Sequence, residues 1–257
     1  MIVTTFNVNS VRARAERVAG FLAARAPDVL CLQETKVEDA LFPHELFGAQ
    51  GYHVRTYGQK TYNGVAIAVR EGLEASGVHC GLGDLDEEAG RRLMALSVGG
   101  VRIVNVYVVN GQEVDSAKYA LKLRWLRALA AFLRDELTRH EKVLVVGDFN
   151  IAPADLDVHD PARWEGKILC SAAERAALAD ITGLGFSDVF RQLHPEAREF
   201  SWWDYRMLGF PKNLGLRIDL MLATTAVVQS VQRCWIDRDE RKGKNASDHA
   251  PVMVELA

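Results

Sequence analysis

Side chains that carry oxygen atoms follow several apolar runs of this sequence at the point where each run ends. Asn7 follows the run 2–6, and Glu34 follows the run 29–32 after one glutamine. The carboxylate and amide residues in such positions are Asn7, Glu34, Asp148, Asn150, Asp219 and Asp248. Carboxylate and amide oxygens are the ligands that Mg²⁺ and Mn²⁺ prefer. Because Mg²⁺ usually keeps several waters, such a site leaves room for a substrate phosphate.

His249 is the one histidine that belongs to this pattern, because it directly follows Asp248. A histidine beside a carboxylate can orient a water molecule or bind a phosphoryl oxygen. Asp and Asn also cap turns at strand ends, so any one of these residues has an ordinary structural explanation. Their occurrence at five strand ends of one chain favours a shared site over turn chemistry alone.

The apolar runs themselves predict the strands that would position these groups. We expect strands at 2–8, 29–32, 65–69, 93–98, 101–108 and 143–146, and near 187–190, 200–203, 218–222, 227–235 and 252–256. Apolar residues at helical spacing predict a helix that begins after Ser10 as its N-cap. Two further helices are expected at 116–139 and 172–184.

Strands outnumber helices in this prediction, and many strands are apolar on both faces. This pattern favours a sheet packed on a sheet with helices outside, or an α+β domain. The sequence shows no repeat, low-complexity tract or linker, so we expect one domain over residues 1–257.

Composition and charge exclude several classes of protein. Hydrophobic residues make up 49% and charged residues 25% of the chain, as in ordinary globular proteins. The 31 basic and 34 acidic side chains give a net charge of −3, which excludes a strongly basic nucleic-acid binder but not a local basic surface. The four cysteines form no metal-binding pair. With no membrane-length apolar run and no signal-peptide pattern, we expect a cytoplasmic protein.

Six segments, taken in order along the chain, resemble the exonuclease III class of AP (abasic-site) endonucleases in the endonuclease/exonuclease/phosphatase superfamily. They are residues 6–10, 33–36, 147–150, 201–206, 215–219 and 247–251. The resemblance implies an α/β (α+β) four-layer sandwich, in which two packed mixed β-sheets are flanked by helices. It also implies Mg²⁺-dependent hydrolysis of phosphodiesters in double-stranded DNA at abasic sites and at 3′ ends, with Mn²⁺ as a plausible substitute and one or two ions. We expect a monomer that contacts no membrane.

By position, the resemblance makes Glu34 the main metal carboxylate, assisted by Asn7 and Asp248. It makes Asp148 the group that orients or deprotonates the attacking water, with Asn150 beside it, and both are further metal-ligand candidates. Phosphoryl transfer needs charge neutralised on the phosphate oxygens and a nucleophile placed in line. The residue types at these positions can supply both.

The same resemblance makes His249 a contact of the scissile phosphate and Asp219 the residue that holds His249. Tyr107 and Asn110 would line the phosphate pocket. The family usually has proline between these two residues, and Val109 stands there instead. Because proline would fix φ, this departure leaves open whether abasic-site cleavage, 3′-phosphodiesterase or 3′→5′ exonuclease activity dominates.

Trp202, Leu216 and Ile218 match positions that line the family's pocket for an extruded abasic sugar, which costs less to extrude than a normal nucleotide. Lys36 and Arg206 are candidates for contacts with the DNA backbone. Other cations near the motifs are Lys60, Arg91, Arg92, Lys118, Lys122 and Lys212.

Three alternative functions differ from the main one. The first is a 3′-end-processing exonuclease with little AP endonuclease activity. The second is a superfamily phosphatase acting on small phosphoesters, against which the aromatic segment 202–206 and the segment 216–219 argue. The third is a DNA-binding module without catalysis, which would lack one of the core Glu, Asp or His residues; all are present.

Overall fold

A computed structural model describes residues 1–257, in which two six-stranded mixed sheets pack face to face. The strands are β1 (Ile2–Asn7), β2 (Val29–Gln33), β3 (Tyr52–Tyr57), β4 (Val65–Arg70), β5 (Ala75–Cys80), β6 (Leu93–Val98), β7 (Val101–Tyr107), β8 (Val143–Asp148), β9 (Phe186–Asp188), β10 (Trp202–Trp203), β11 (Gly215–Leu216), β12 (Asp219–Thr224), β13 (Val231–Ile236) and β14 (Val252–Leu256). The first sheet has the order β13-β14-β1-β2-β4-β3, the second has the order β5-β6-β7-β8-β12-β9, and β10 and β11 form a separate pair.

Eight α-helices accompany the sheets, and the longer ones cover the outer faces of the sheets. They are α1 (Ala15–Arg25), α2 (His44–Gly48), α3 (Leu85–Ala89), α4 (Ala117–Arg139), α5 (Pro161–Trp164), α6 (Ala172–Thr182), α7 (Val189–Leu193) and α8 (Thr225–Val228). One apolar core lies between the sheets, a second lies under α1 and α2, and a third lies under α4 and α6. The predicted four-layer sandwich is therefore confirmed. No helix is both long and apolar enough to span a membrane.

Strand direction decides where the polar strand ends meet. The pairs β1–β2 and β7–β8 are parallel, so the carboxyl ends of each pair lie at one edge of its sheet. Strand β12 runs antiparallel to β8, and its first residue, Asp219, lies opposite Asp148. Residues from both sheets are thus brought to the same end of the sandwich.

Helix α4 agrees with the sequence prediction, because it runs over 117–139 and the Ser116 hydroxyl accepts a hydrogen bond from the Tyr119 amide at 3.1 Å. Helix α1 does not begin after Ser10 as predicted. It begins at Ala15, because Ser10 has a left-handed φ of 91° and its hydroxyl caps only a turn at Ala13.

Two predicted strands are partly helical: α7 occupies the second half of 187–190, and α8 occupies the start of 227–235. The sequence did not indicate strands β3 and β5. Both lie at the edges of their sheets, and β5 is largely exposed, so neither needs a continuous apolar run.

Candidate active site

Asn7 joins the ends of strands from both sheets. Its side-chain amide donates hydrogen bonds to Asp148 Oδ2 at 2.9 Å and to Glu34 Oε1 at 3.0 Å. Asn7 is fully buried at the end of β1, and Asp148 is buried at the end of β8. The predicted proximity of these three residues is therefore present in the structure.

Glu34 lies just after β2 with a left-handed φ of 52°, and its side chain remains 17% exposed. Lys36 Nζ lies 2.7 Å from Glu34 Oε2. Burial alone would raise the pKa of Glu34, but the Lys36 charge and the hydrogen bond from Asn7 outweigh it and lower the pKa. Glu34 is thus an ionised carboxylate that faces the opening of the site.

Asp148 accepts hydrogen bonds from three directions. Besides Asn7, the Asn150 amide N–H donates to Oδ1 at 2.9 Å and the Asn150 side chain donates to Oδ2 at 3.1 Å. Burial raises the pKa of Asp148 to about 7, and the charges of Asp219 and Glu34 act in the same direction. A pKa near neutrality suits a group that accepts a proton during a reaction.

His249 is buried between two carboxylates. Its Nδ1 lies 2.8 Å from Asp219 Oδ2, and its Nε2 lies 3.8 Å from Asp148 Oδ2. Burial would lower the pKa of His249, but Asp219 and then Asp148 outweigh it and raise the pKa to about 10. His249 is therefore a cation whose Nε2 points toward Asp148.

Two serines that were not predicted as site residues hold the backbones of Asp219 and His249 in place. The Ser201 hydroxyl accepts hydrogen bonds from the backbone amides of Ile218 at 3.1 Å and Asp219 at 3.0 Å. The Ser247 hydroxyl donates to the Asn7 carbonyl at 2.7 Å and accepts from the His249 amide at 3.2 Å. The two serines lie in the motif segments 201–206 and 247–251, and this was the sequence signal that could have identified them as site residues.

A buried amide pair beneath the site joins the two sheets, and the sequence analysis missed it. Gln33 Nε2 donates to Asn105 Oδ1 at 2.7 Å, and Asn105 Nδ2 donates to the carbonyls of Leu32 and Ala66, each at 3.0 Å. The signal was Asn105 itself, a polar residue flanked on both sides by apolar residues of β7. These buried hydrogen bonds fix the register of the strands that carry the two amides, while Gln33 Oε1 has no partner.

Asn110 and Asn150 form the amide side of the site. Asn110 Nδ2 donates to Asn150 Oδ1 at 2.9 Å, which links the loops that follow β7 and β8.

Tyr107, at the end of β7, is nearly buried under the guanidinium of Arg92, which lies 4.4 Å from the ring centroid. Burial, followed by the charge of Glu34, raises the pKa of Tyr107 well above its usual range, so it is a hydroxyl donor.

The metal-ligand candidates do not all come together. The ligand atoms of Glu34, Asp148 and His249 lie within 4.8 Å of one another. The predicted ligand Asp248 is not in this group, because its carboxylate accepts hydrogen bonds from Asn9 at 3.0 Å and from the Trp202 indole at 3.0 Å. Two carboxylates, one of them open to solvent, are a donor set that fits a hard divalent cation.

The expected sugar pocket corresponds to a small apolar cluster beside Asp248. Leu216 and Ile218 are buried in it, and Trp202 packs against it while remaining partly exposed. The cluster also includes Ala152, Val158, Leu169 and Cys170. Trp202 is therefore the predicted pocket residue that a ligand can reach directly, with Leu216 and Ile218 behind it.

The predicted cations divide into exposed and buried groups. Lys36 and Lys60 line a cavity of about 490 Å³ together with Arg12. Arg206 is exposed and pairs with Asp204 at 2.6 Å. Lys122 is fully buried and Arg92 nearly so, and these two cations are therefore not on the surface that DNA would contact.

Fold and site together define a phosphoesterase-type α/β sandwich with a cross-sheet Asp–His–Glu centre. The sequence profile of the Endonuclease/Exonuclease/phosphatase family matches residues 4–249, and the chain belongs to that family. Exodeoxyribonuclease III of Haemophilus influenzae is 34% identical over 98% of both chains. The structure of the 3′ phosphatase NExo from Neisseria bound to a product DNA hairpin matches with a TM-score of 0.97 and 44% identity, over 100% of this chain and 99% of that one. An AP endonuclease from Archaeoglobus fulgidus matches with a TM-score of 0.93 and 38% identity, again over 100% and 99%.

Proposed function

We propose that this protein is a Mg²⁺-dependent nuclease that hydrolyses phosphodiesters of duplex DNA at abasic sites and at 3′ ends. The observation that carries the proposal is the convergence of Glu34, Asp148 and His249 within 4.8 Å, with His249 held by Asp219. The similar proteins named above, which are an exodeoxyribonuclease, a 3′ phosphatase and an AP endonuclease, support DNA as the substrate. Because cellular DNA is the proposed substrate, we infer that the protein acts in the cytoplasm.

Glu34 and Asp148 are the residues that would hold the Mg²⁺ ion, with the amide of Asn7 between them. A bound Mg²⁺ would supply positive charge at the non-bridging oxygens of the phosphate. Lys36 keeps Glu34 ionised in the absence of the ion. The oxygen-rich donor set favours Mg²⁺ or Mn²⁺ over softer metals.

Asp148 accepts the proton of the attacking water in this proposal. Burial raises the pKa of Asp148 in the metal-free site, which makes it a stronger base than an ordinary carboxylate. The water oxygen bonds to phosphorus while the bond from phosphorus to a sugar oxygen breaks, and the departing sugar oxygen takes a proton from solvent to become a hydroxyl. General base catalysis of this kind contributes about 10²–10⁴-fold in rate.

His249 donates its Nε2–H to a non-bridging phosphate oxygen, since its Nδ1 is already committed to Asp219. The Asn110 and Asn150 side chains and the Tyr107 hydroxyl supply further donors on the other side of the phosphate. Groups that are fixed before the substrate arrives stabilise the charged transition state without reorganisation.

Trp202 distinguishes the two kinds of substrate in this proposal. Its partly exposed indole, fixed by Asp248, forms the wall against which an extruded abasic sugar packs. An undamaged 3′ end presents no such sugar. Arg12, Lys36 and Lys60 line one side of the opening and neutralise the DNA backbone there.

The test uses two labelled duplexes, one with a single internal abasic-site analogue and one with a recessed, undamaged 3′ end. Purified protein is incubated with each duplex in Mg²⁺ and in EDTA. We expect Mg²⁺-dependent incision at the abasic site and shortening of the recessed end. Digestion of the 3′ end alone would support the 3′-end-processing alternative, and cleavage of neither duplex would refute the nuclease.

A further inference from the structure

Lys122 is a fully buried cation close to, but outside, the centre described above. It lies on the second turn of α4, and its ammonium forms an ion pair with Glu174 of α6 that is also fully buried. Lysine is seldom buried completely, because removing its charge from water is costly. The role of this ammonium is indicated by its other two partners.

Those partners are the backbone carbonyls of the two amide residues of the site. Lys122 Nζ donates to the Asn150 carbonyl at 2.7 Å and to the Asn110 carbonyl at 3.1 Å. The side chains of Asn110 and Asn150 are themselves hydrogen-bonded at 2.9 Å. One ammonium therefore fixes both loops from behind, while their side chains face the site.

Glu174 extends the same network to the apolar cluster around Trp202. Its carboxylate accepts hydrogen bonds from the backbone amides of Leu169 and Ser171, each at 3.0 Å. The Leu169 carbonyl in turn accepts from the Ala152 amide at 2.8 Å. Leu169 and Ala152 both belong to the apolar cluster. The ion pair therefore connects the backbone of that cluster to the two loops that carry Asn110 and Asn150.

We propose that Lys122 is a positioning residue of the nuclease: it holds Asn110 and Asn150 in register on the scissile phosphate. The proposal rests on the function proposed above. Without the ammonium, both carbonyls and Glu174 lose their shared partner, and the two loops lose the link that holds their backbones together. Misplacement of reacting groups by about 1 Å reduces the rate by about 10²-fold.

The same helix offers a matched control. Arg102 of β7 and Glu136 of α4 form another buried ion pair, but it lies at the opposite end of the helix and contacts no residue of the site. Arg102→Met and Lys122→Met therefore each remove a buried cation from a buried glutamate, although Glu136 keeps a second partner in Arg139 at 2.7 Å. Only Lys122→Met also removes the hydrogen bonds to the backbone carbonyls of Asn110 and Asn150.

The experiment measures single-turnover cleavage of the abasic duplex, together with thermal unfolding, for Lys122→Met, Lys122→Met/Glu174→Gln and Arg102→Met. We expect Lys122→Met to lose about 10²-fold in rate. The double variant recovers most of the Tm, because no unpaired charge remains, but it does not recover the rate. Arg102→Met loses Tm without a comparable loss of rate.

Two further readouts separate positioning from general stability. In an Asn110→Ala/Asn150→Ala background, Lys122→Met should cause at most about a threefold further loss, because it acts through those side chains. Backbone hydrogen exchange over 110–112 and 150–152 should accelerate in Lys122→Met and not in Arg102→Met.

Recovery of the cleavage rate together with Tm in Lys122→Met/Glu174→Gln would overturn the proposal. So would a full further loss of rate when Lys122→Met is added to Asn110→Ala/Asn150→Ala. Unchanged exchange in both loops would also overturn it, and this readout does not depend on activity. A wild-type protein that cleaves neither duplex would instead refute the proposed function.

Discussion

Replacing Asp219 by asparagine tests whether His249 acts as a cation. The substitution keeps the shape of the side chain and removes its charge. In the native protein both Asp219 oxygens lie near His249 Nδ1, at 2.8 and 3.1 Å, and the pair is buried. Asp219 is also the strongest of the groups that raise the pKa of His249, so Asp219→Asn lowers that pKa.

The size of the effect follows from the hydrogen bond that is weakened. A hydrogen bond to a charged partner contributes about 1.5–3 kcal/mol, and about 1.36 kcal/mol corresponds to a tenfold change in rate. We therefore expect Asp219→Asn to lower the cleavage rate by about 10- to 150-fold at neutral pH. The loss should grow with pH, because the active imidazolium of the variant deprotonates at a lower pH than that of the wild type.

The assay is single-turnover cleavage of the abasic duplex between pH 6 and pH 10, with Mg²⁺ saturating. Asp155→Asn is the matched control, because Asp155 is an exposed carboxylate paired with Arg175 outside the site. A rate for Asp219→Asn within twofold of wild type, with the same pH profile, would refute the assignment of His249 as a phosphate-binding cation.

Three other substitutions have separate expected outcomes. Glu34→Gln should shift the Mg²⁺ dependence of cleavage to higher concentration, because one of the two carboxylates is lost; a Mg²⁺ titration measures this. Trp202→Ala should reduce abasic-site cleavage more than digestion of an undamaged 3′ end, because only an abasic sugar packs against the Trp202 indole. Paired rate measurements on the two duplexes test this. Arg217→Met should destabilise the fold by about 3 kcal/mol, measured by urea unfolding, because it leaves Asp188 without its cation and Asp157 with Arg191 alone.

A specific result would contradict each of these three predictions. An unchanged Mg²⁺ midpoint would remove Glu34 from the metal site. Equal losses on the two duplexes would contradict the role of Trp202 in holding an abasic sugar. A change in unfolding free energy below about 1 kcal/mol would show that Asp157 and Asp188 do not depend on Arg217.

Central strands were predictable from the sequence because they are buried on both faces. Strands β6 and β14 have the predicted bounds, and both are apolar throughout most of their length. Edge strands β3 and β5 escaped prediction because water covers much of their surface. Short apolar runs do not distinguish a strand from a helical turn, which explains the errors at α7 and α8.

The site was predictable as a set of residue types at strand ends, but not as a set of contacts. Asn7 to Asp148 and Asp219 to His249 both cross between the two sheets, and only the folded topology brings them together. The burial of Lys122 was not predictable, because lysine next to a motif is usually solvated. Its two carbonyl partners become visible only when the loops after β7 and β8 are placed side by side.

The proposed nuclease depends above all on Asp148 as a member of its reacting centre. The most direct measurement compares Asp148→Asn with wild type for single-turnover cleavage of the abasic duplex and for binding of the same duplex by fluorescence anisotropy. We predict that Asp148→Asn retains binding within a few-fold and loses at least about 10²-fold in cleavage rate, because the proton acceptor is gone. Cleavage at the wild-type rate would contradict the account, because the geometry around Asp148 would then have no part in the chemistry.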